Sequence, residues 1–485
     1  MAALILITLA AVIVVPLSFY LQLWKPRKEE EAMGEGAAPL PPGPRGLPLL
    51  GHLPFLGPDL HHCFAELARS HGPVMSLRIG SKLCVVLSSP AAAREALKDK
   101  DAVFANHVTP AVVLASALAN DMVWAPHGPV WRMLRKMSVQ EVLSPAIIDG
   151  LRTVRRHEVL RMVEEVRRRV GKPVNVRELA FTTQMNVMTT MLWGSTLEEA
   201  LGEELREVIG AMIDLLAVPN VSDFFPAVAW LDLQCLARRM VRLWARLDHI
   251  FDPVIEERRL RTVEGVGEAS REGNTRSRDF LQDMVAGGTD TTSSTVELAM
   301  AQLLCNPQMM KKAKEEIEAV VGDDGIVEES PHLPRLHYLE AVVKEVLRLH
   351  PVVPLLLPRR PSSTCTIAGY RIPEGTKVFI NVWAIHRDPQ FWEDAAEFKP
   401  ERFLSGGSHN SDNTGNDFSY LPFGGGRRIC VGMPLAKRMV MLLLASLLHS
   451  VEYWTLPEGV QVDLSEKFGF VIKMKEPLVA VPMLP

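Results

Sequence analysis

The sequence predicts a mainly α-helical protein with small β-sheets, held to a membrane by one N-terminal helix. Three observations predict it. Residues 1–24 contain no charged side chain and are dominated by Leu, Ile, Val and Ala. From about Pro145 to Leu260 the chain is rich in Arg, Glu and Leu and poor in turn residues, a helical pattern. Short strand-like runs occur at Val74 to Leu87, Tyr370 to Asn381 and Val471 to Val481, too few for a sheet-dominated fold.

Composition bounds the function. The 485 residues are 47% hydrophobic and 23% charged, a globular balance. A formal charge of -4 lacks the basic footprint of a nucleic-acid binder. Cys63, Cys84, Cys235, Cys305, Cys365 and Cys430 lie far apart with no Cys-x-x-Cys, which argues against a disulfide scaffold or zinc finger and fits a reducing compartment.

Residues 1–24, at about 1.5 Å per residue, reach roughly 36 Å, enough to cross a hydrocarbon core of about 30 Å. Lys25, Arg27 and Lys28 follow, so the rest of the chain is expected in the cytosol. A cleaved signal peptide would want basic residues first and a small-residue cleavage site after. Residues 25–45 form a charged and Pro-rich hinge, where Pro39, Pro41, Pro42 and Pro44 favour a stiff, extended spacer. Residues 46–485 are the soluble domain. Within it, the strands Val74 to Ile79 and Leu83 to Leu87 meet across Gly80-Ser81, a two-residue hairpin signal. Glu264 to Arg278 reads as a loop, followed by a long helix from near Asp279 to Cys305 and another from Tyr338 to Leu349, stopped by Pro351. Ser405 to Asn416 reads as a surface loop, and a last helix runs from Pro434 through Leu448.

Chemistry concentrates at Phe423-Gly-Gly-Gly426-Arg-Arg428-Ile-Cys430-Val-Gly432. A lone thiolate before a helix has what a metal-bound sulfur needs, because free amides and the helix dipole favour an anion. The glycines let backbone approach a flat cofactor. The same loop could cradle phosphate, but no Lys-Ser or Lys-Thr pair stands in the P-loop position. Most single cysteines are inert core residues.

On these residues the sequence resembles the cytochrome P450 superfamily of haem-thiolate monooxygenases. Phe423, Gly426, Arg428, Cys430 and Gly432 complete its Phe-x-x-Gly-x-Arg-x-Cys-x-Gly pattern. Glu345 and Arg348 match its Glu-x-x-Arg, and Pro400-Glu-Arg402-Phe403 its partner; sharing a helix face, Glu345 and Arg348 can join Arg402 in a charge-assisted structural network. The resemblance implies the family's fold and a haem b held by Cys430. It places Trp131, Arg135, Arg428 and Arg359 or Arg360 near the haem propionates, and makes Asp290 and Thr291 an acid–alcohol pair relaying protons to oxygen. In Ala286-Gly287-Gly288-Thr289-Asp290-Thr291-Thr292, paired glycines inside a helix cost roughly 1 kcal/mol each against Ala, and their smallness leaves room for dioxygen and substrate. Thr291 can also back-bond to an upstream carbonyl.

The resemblance further implies O₂ as co-substrate, an NADPH–cytochrome P450 reductase as electron donor, and single-pass residence in the endoplasmic reticulum membrane. Arg132, Lys136, Arg427 and Lys437 are candidates for docking that reductase. Asn220-Val-Ser-Asp-Phe-Phe-Pro226 and Glu466-Lys-Phe-Gly469 resemble the plant group of geraniol hydroxylase-like enzymes, which implies a mono- or diterpenoid substrate. Its apolar wall would include Pro110 to Leu118, Val353 to Leu357 and Phe468 to Phe470. The sequence departs from the family in one place: Asp279-Phe-Leu-Gln282 runs almost directly into Met284-Val-Ala286, where members carry a further helix and a polar connection. Two alternatives follow: a haem-thiolate isomerase or lyase, and a family member impaired by that shortening.

Overall fold

The computed structural model describes residues 38–115, 121–194, 196, 199–263, 271–322, 325–405 and 417–484. The expected membrane helix, most of the hinge and nearly all of the loop at 405–416 lie outside the described residues. Among those described, no helix is long and apolar enough to cross a membrane.

Among the described residues the architecture is mainly helical with four small sheets. After helix α1 (Leu60–His71), strands β1 (Val74–Ile79) and β2 (Lys82–Leu87) pair antiparallel with Ile79 opposite Lys82, so Gly80-Ser81 is the two-residue turn the sequence predicts. Strand β3 (Asn106–His107) and helices α2 (Pro129–Met137) and α3 (Arg152–Arg168) follow. Next come β4 (Val174–Asn175), α4 (Val176–Trp193), α5 (Glu199–Ala217), α6 (Leu236–Val263), α7 (Arg271–Cys305), α8 (Pro307–Val321) and α9 (His337–Leu349). Strands β5 (Arg359–Arg360), β6 (Cys365–Ile367), β7 (Tyr370–Ile372) and β8 (Lys377–Ile380) precede α10 (Met433–His449), and β9 (Tyr453–Thr455), β10 (Glu466–Lys467), β11 (Lys473–Met474) and β12 (Val479–Met483) close the fold.

The five-stranded sheet runs β1-β2-β8-β5-β3, with β8 parallel to β2. A three-stranded sheet places β12 between β4 and β9. Helix α7 is the central beam: it packs on α4, α10 and α9, and Val296, Leu298, Ala299, Met300 and Leu303 on it are fully enclosed. Helix α10 is nearly all apolar from Met439 to Leu448 and is buried all round, as expected of a helix inside a core rather than on its surface.

One expectation is corrected. Residues 271–278 are not loop; α7 starts at Arg271, eight residues before Asp279. Once a helix is anchored by a packed core, each further turn adds a hydrogen bond without a new nucleation cost. Polar residues with a single Gly273 do not stop it.

Candidate active site

The Cys430 loop is shaped by its backbone. Gly426 has φ +69°, and a Cβ there would collide with the Leu97 carbonyl oxygen, so this turn admits glycine only. The Cys430 N–H donates to the Phe423 carbonyl at 3.0 Å, closing the loop on itself just before α10. The sulfur faces the start of α10. Burial pushes the Cys430 thiol up, while the amides of Gly432 and Met433 and the Arg135 guanidinium pull towards the thiolate. Cys430 itself is exposed. Gly287, midway along the enclosed α7, is exposed as well, and a Cβ there would meet nothing within 4 Å. All six cysteines are unpaired.

Four of the proposed cofactor contacts surround this loop. Arg428 stacks over the Trp131 ring, 4.4 Å from its centroid, and donates to the carbonyls of Ala105 at 2.7 Å and Ala125 at 2.5 Å. Arg135, one turn after Trp131 on α2, donates to the Ile429 carbonyl at 2.6 Å. Arg359 on β5 is buried and its Nε has no hydrogen-bond partner. Burial, then the charge of Arg428, draws its pKa down to about 9. A buried guanidinium N–H without a partner is costly and marks a place for an acceptor. Arg360 is exposed.

Behind the loop lies a second network. Arg348 donates to Glu345 through Nε and Nη2, both at 2.7 Å, and Arg402 Nε reaches the same carboxylate at 3.1 Å. Arg348 spends its remaining donors on the carbonyls of His386, Ala395 and Glu397. Both members of the first pair are fully buried. The sequence places these three residues together, and the structure brings them together. It also adds a residue the sequence reading missed: His386 Nε2 accepts the Leu421 N–H at 2.7 Å, leaving Nδ1–H to donate to the Arg348 carbonyl at 3.2 Å. Burial, followed by the Arg348 charge, lowers the His386 pKa to about 3, so the ring is neutral.

Asp290 and Thr291 part company. Thr291 Oγ1 donates to the Gly287 carbonyl at 2.9 Å, the back-bond its sequence position allows. Asp290 is buried and accepts from Arg177 Nη2 of α4 at 2.6 Å, with Lys473 Nζ of β11 3.1 Å from its other oxygen. No hydrogen bond joins their two side chains among the described residues, and neither cation is signalled by a motif.

Of the docking candidates, Arg132 and Lys136 are exposed on α2, while Arg427 is exposed but paired with Asp101 at 2.6 Å. In the expected wall, Val112 and Val113 are buried, Val353, Leu357 and Phe470 pack against the main core, and Phe468 stacks on His61. Residues 116–118 lie outside the described residues.

A family model described as Cytochrome P450 matches residues 41–286 and 278–481. The two matches overlap at residues 278–286, ahead of Gly287. The flavonoid 3'-monooxygenase CYP75B137 of Crocosmia x crocosmiiflora is 40% identical over 473 residues, covering 92% of both chains. Cytochrome P450 76C1 of Arabidopsis thaliana is 38% identical over 487 residues, 93% of each chain. The flavonoid 3'-monooxygenase of Petunia hybrida is 38% identical over 474 residues, again 92% of both.

Proposed function

The chain belongs to the cytochrome P450 family, whose members use haem with a cysteine thiolate as axial ligand, and from that premise we propose that this monooxygenase hydroxylates a flavonoid-type phenolic ring with electrons from an NADPH-dependent reductase. The observation that supports the site is the exposed Cys430 in a glycine-shaped loop just before α10, with Arg135 bonded to that loop, Arg428 stacked on Trp131 and the buried Arg359 Nε left without a partner.

The residues fit haem. Cys430 offers an exposed sulfur-bearing side chain, and Arg359 offers a buried N–H without an acceptor, as a propionate would require. Arg428, Trp131 and Arg135 stand around the same loop, with Phe423, Gly426 and Gly432 shaping it. When bound, haem with a thiolate ligand supplies activation of O₂ and transfer of one oxygen atom to a C–H bond. The chain's own part is positional. Gly287 leaves space above the site, Thr291 presents a hydroxyl held by the Gly287 carbonyl, and Asp290 is the proton source behind it. The network of Glu345, Arg348, Arg402 and His386 keeps the Cys430 loop rigid.

The relatives whose names state a substrate act on flavonoids, which moves the terpenoid expectation to second place. The membrane reading rests on residues 1–24 and on an apolar surface beside the hinge. Leu49 and Phe55 are 50% and 58% exposed, and Trp230 and Leu233 are 81% and 61% exposed. The β1–β2 turn joins the two groups, since Gly80 N–H donates to the Leu50 carbonyl and Ser81 Oγ to that of Phe224. Such a face suits a lipid surface in the endoplasmic reticulum, with the reductase meeting Arg132 and Lys136.

The decisive test is the spectrum of the reduced, CO-bound protein, then a panel of flavanones, flavones and monoterpene alcohols scored by spin-state shift and by NADPH- and reductase-dependent product. A thiolate-type Soret band with flavonoid turnover supports the proposal. Turnover of the terpenols alone overturns the substrate class. Absence of the thiolate band in wild type, while Cys430 is intact, points to impairment by the shortened segment, and turnover without NADPH points to an isomerase or lyase.

A further inference from the structure

The β10–β11 hairpin carries Phe468 and Phe470 in its turn, yet its strands match at only two positions, Glu466 with Met474 and Lys467 with Lys473. A hairpin of that size does not hold itself in water. It is held by a chain of side chains that the haem site does not use. Gln302 of α7 donates from Nε2 to His350 Nε2 at 2.8 Å. That bond makes Nε2 the acceptor, so Nδ1 carries the hydrogen and donates to Glu466 Oε1. Gln302 and His350 are buried, and the Glu466 side chain is only 11% exposed. Burial works against the Glu466 charge, but the His350 bond and the nearby Arg387 guanidinium outweigh it and draw the carboxyl below its ordinary range.

The turn between the strands is bracketed by rings. Phe468 lies flat on His61 of α1, 5.3 Å between centroids at 25°. His61 is buried with neither ring nitrogen bonded, and its Nε2 is 4.0 Å from Glu466 Oε2, too far for a hydrogen bond. It therefore meets Phe468 as an aromatic face. On the other side Phe470 packs on Trp124 at 6.0 Å, and Trp124 stands edge-on to His107, the strand partner of Arg359. Between them, a Cβ on Gly469 would touch the Ala217 methyl at the end of α5. The turn thus spans from α1 and α5 to the residues beside the open Arg359 guanidinium.

We propose that Glu466 is a positioning residue for the substrate pocket: through His350 it ties the β10–β11 hairpin to Gln302 of α7 and so fixes where Phe468 and Phe470 stand. Helix α7 also carries Gly287 and Thr291, so the aromatic wall and the oxygen site share one rigid reference. Without the relay, the hairpin keeps its two matched pairs and the Ile472 N–H bond to the Val352 carbonyl at 2.8 Å. Those set the strands but leave the rings to turn. The proposal rests on the reading of Phe468 to Phe470 as pocket wall and adds what aims it.

The test uses the full-length holoenzyme with two probes, imidazole and 4-phenylimidazole. Both bind the haem iron through the same type of nitrogen, whatever the natural substrate, and they differ by one phenyl ring. Dissociation constants are read from the Soret shift. In Glu466→Ala, 4-phenylimidazole should bind several-fold more weakly while imidazole is unchanged. Glu466→Gln, which keeps an acceptor oxygen for His350, should restore the wild-type ratio. Gln302→Leu, at the far end of the relay, should lower the ratio in the same direction. An unchanged ratio in Glu466→Ala, an equal loss for both probes, or no rescue by Glu466→Gln overturns the proposal. If Glu466→Ala does not fold, the ratio in Gln302→Leu decides, and loss of the thiolate band in both variants overturns the proposal, because the relay would then hold the domain and not the wall. Phe470→Ala tests the underlying reading. If it leaves the ratio unmoved, the hairpin is not pocket wall and the proposal falls with that reading; if it moves the ratio and Glu466→Ala does not, the proposal alone falls.

Discussion

His386 accepts the backbone N–H of Leu421 at 2.7 Å, so one imidazole ties the segment leading into the Cys430 loop to the end of α9. The ring is neutral because it is buried, and its tautomer is set by having a donor on one side and an acceptor on the other. Replacing it by Ala leaves a cavity, an orphaned N–H and an orphaned carbonyl. That loss should cost about 2–4 kcal/mol, measured as a lower thermal midpoint and faster haem loss. The pH dependence has a definite sign. The His386 pKa is lowered in the fold to about 3, from an ordinary 6.5. Its contribution is therefore fully present above about 6.5 and is lost as pH falls towards about 3. Wild type should lose stability in that window more steeply than His386→Phe; parallel curves would refute the assignment.

Arg348→Lys tests the buried network. A lysine brings a point charge where the guanidinium serves one carboxylate and three carbonyls at once. Breaking a buried pair costs about 3–5 kcal/mol, so most of the expressed variant should lack haem. A wild-type yield of the thiolate spectrum would show that the loop is held by something else.

Cys430→Ser should abolish the thiolate-type CO spectrum, since a hydroxyl is a far poorer anionic donor. Serine at Cys63, Cys84, Cys235, Cys305 or Cys365 should leave the type of spectrum unchanged. A thiolate band surviving in Cys430→Ser would sink the site assignment as a whole.

Thr291→Ala should keep the haem spectrum, because the Thr291 hydroxyl is bonded to the Gly287 carbonyl of its own helix. Proton-transfer steps are typically worth about 10²–10⁴-fold, so product per NADPH should drop while NADPH consumption continues. Wild-type coupling with a substrate that turns over would reduce Thr291 to a helix-shaping residue.

Deleting residues 1–24 should weaken but not abolish vesicle binding, and adding Trp230→Ser and Leu233→Ser should remove most of what remains. Their exposure, 81% and 61%, means that neither change disturbs the core. Unchanged binding by the triple variant would place the lipid contact elsewhere.

What the sequence made legible was local. The hairpin at Gly80-Ser81, the Cys430 loop and the pair Glu345 and Arg348 each depend on a spacing within one element, so residue order alone places them. Partners drawn from distant elements were not legible: Arg177 meets Asp290 across 113 positions, and His386 meets Leu421 through a backbone amide that no side-chain pattern marks. The start of α7 was misread for a related reason. The pull of a packed helix on the turns before it is a tertiary effect, invisible in a polar window with one glycine.

Strand β12 has a consequence for biosynthesis. It is the middle strand of its sheet, with Ala480 opposite Val174 and Val481 opposite Thr455. Those first partners are about 300 residues apart, a pairing of very high contact order. A nascent chain can collapse around α3 and α4 long before this, but β4 waits on the ribosome for its neighbour. Nonsense or frameshift lesions that spare the whole haem site yet remove 479–483 should therefore yield chains stalled with an open sheet edge, fit for chaperone capture and degradation.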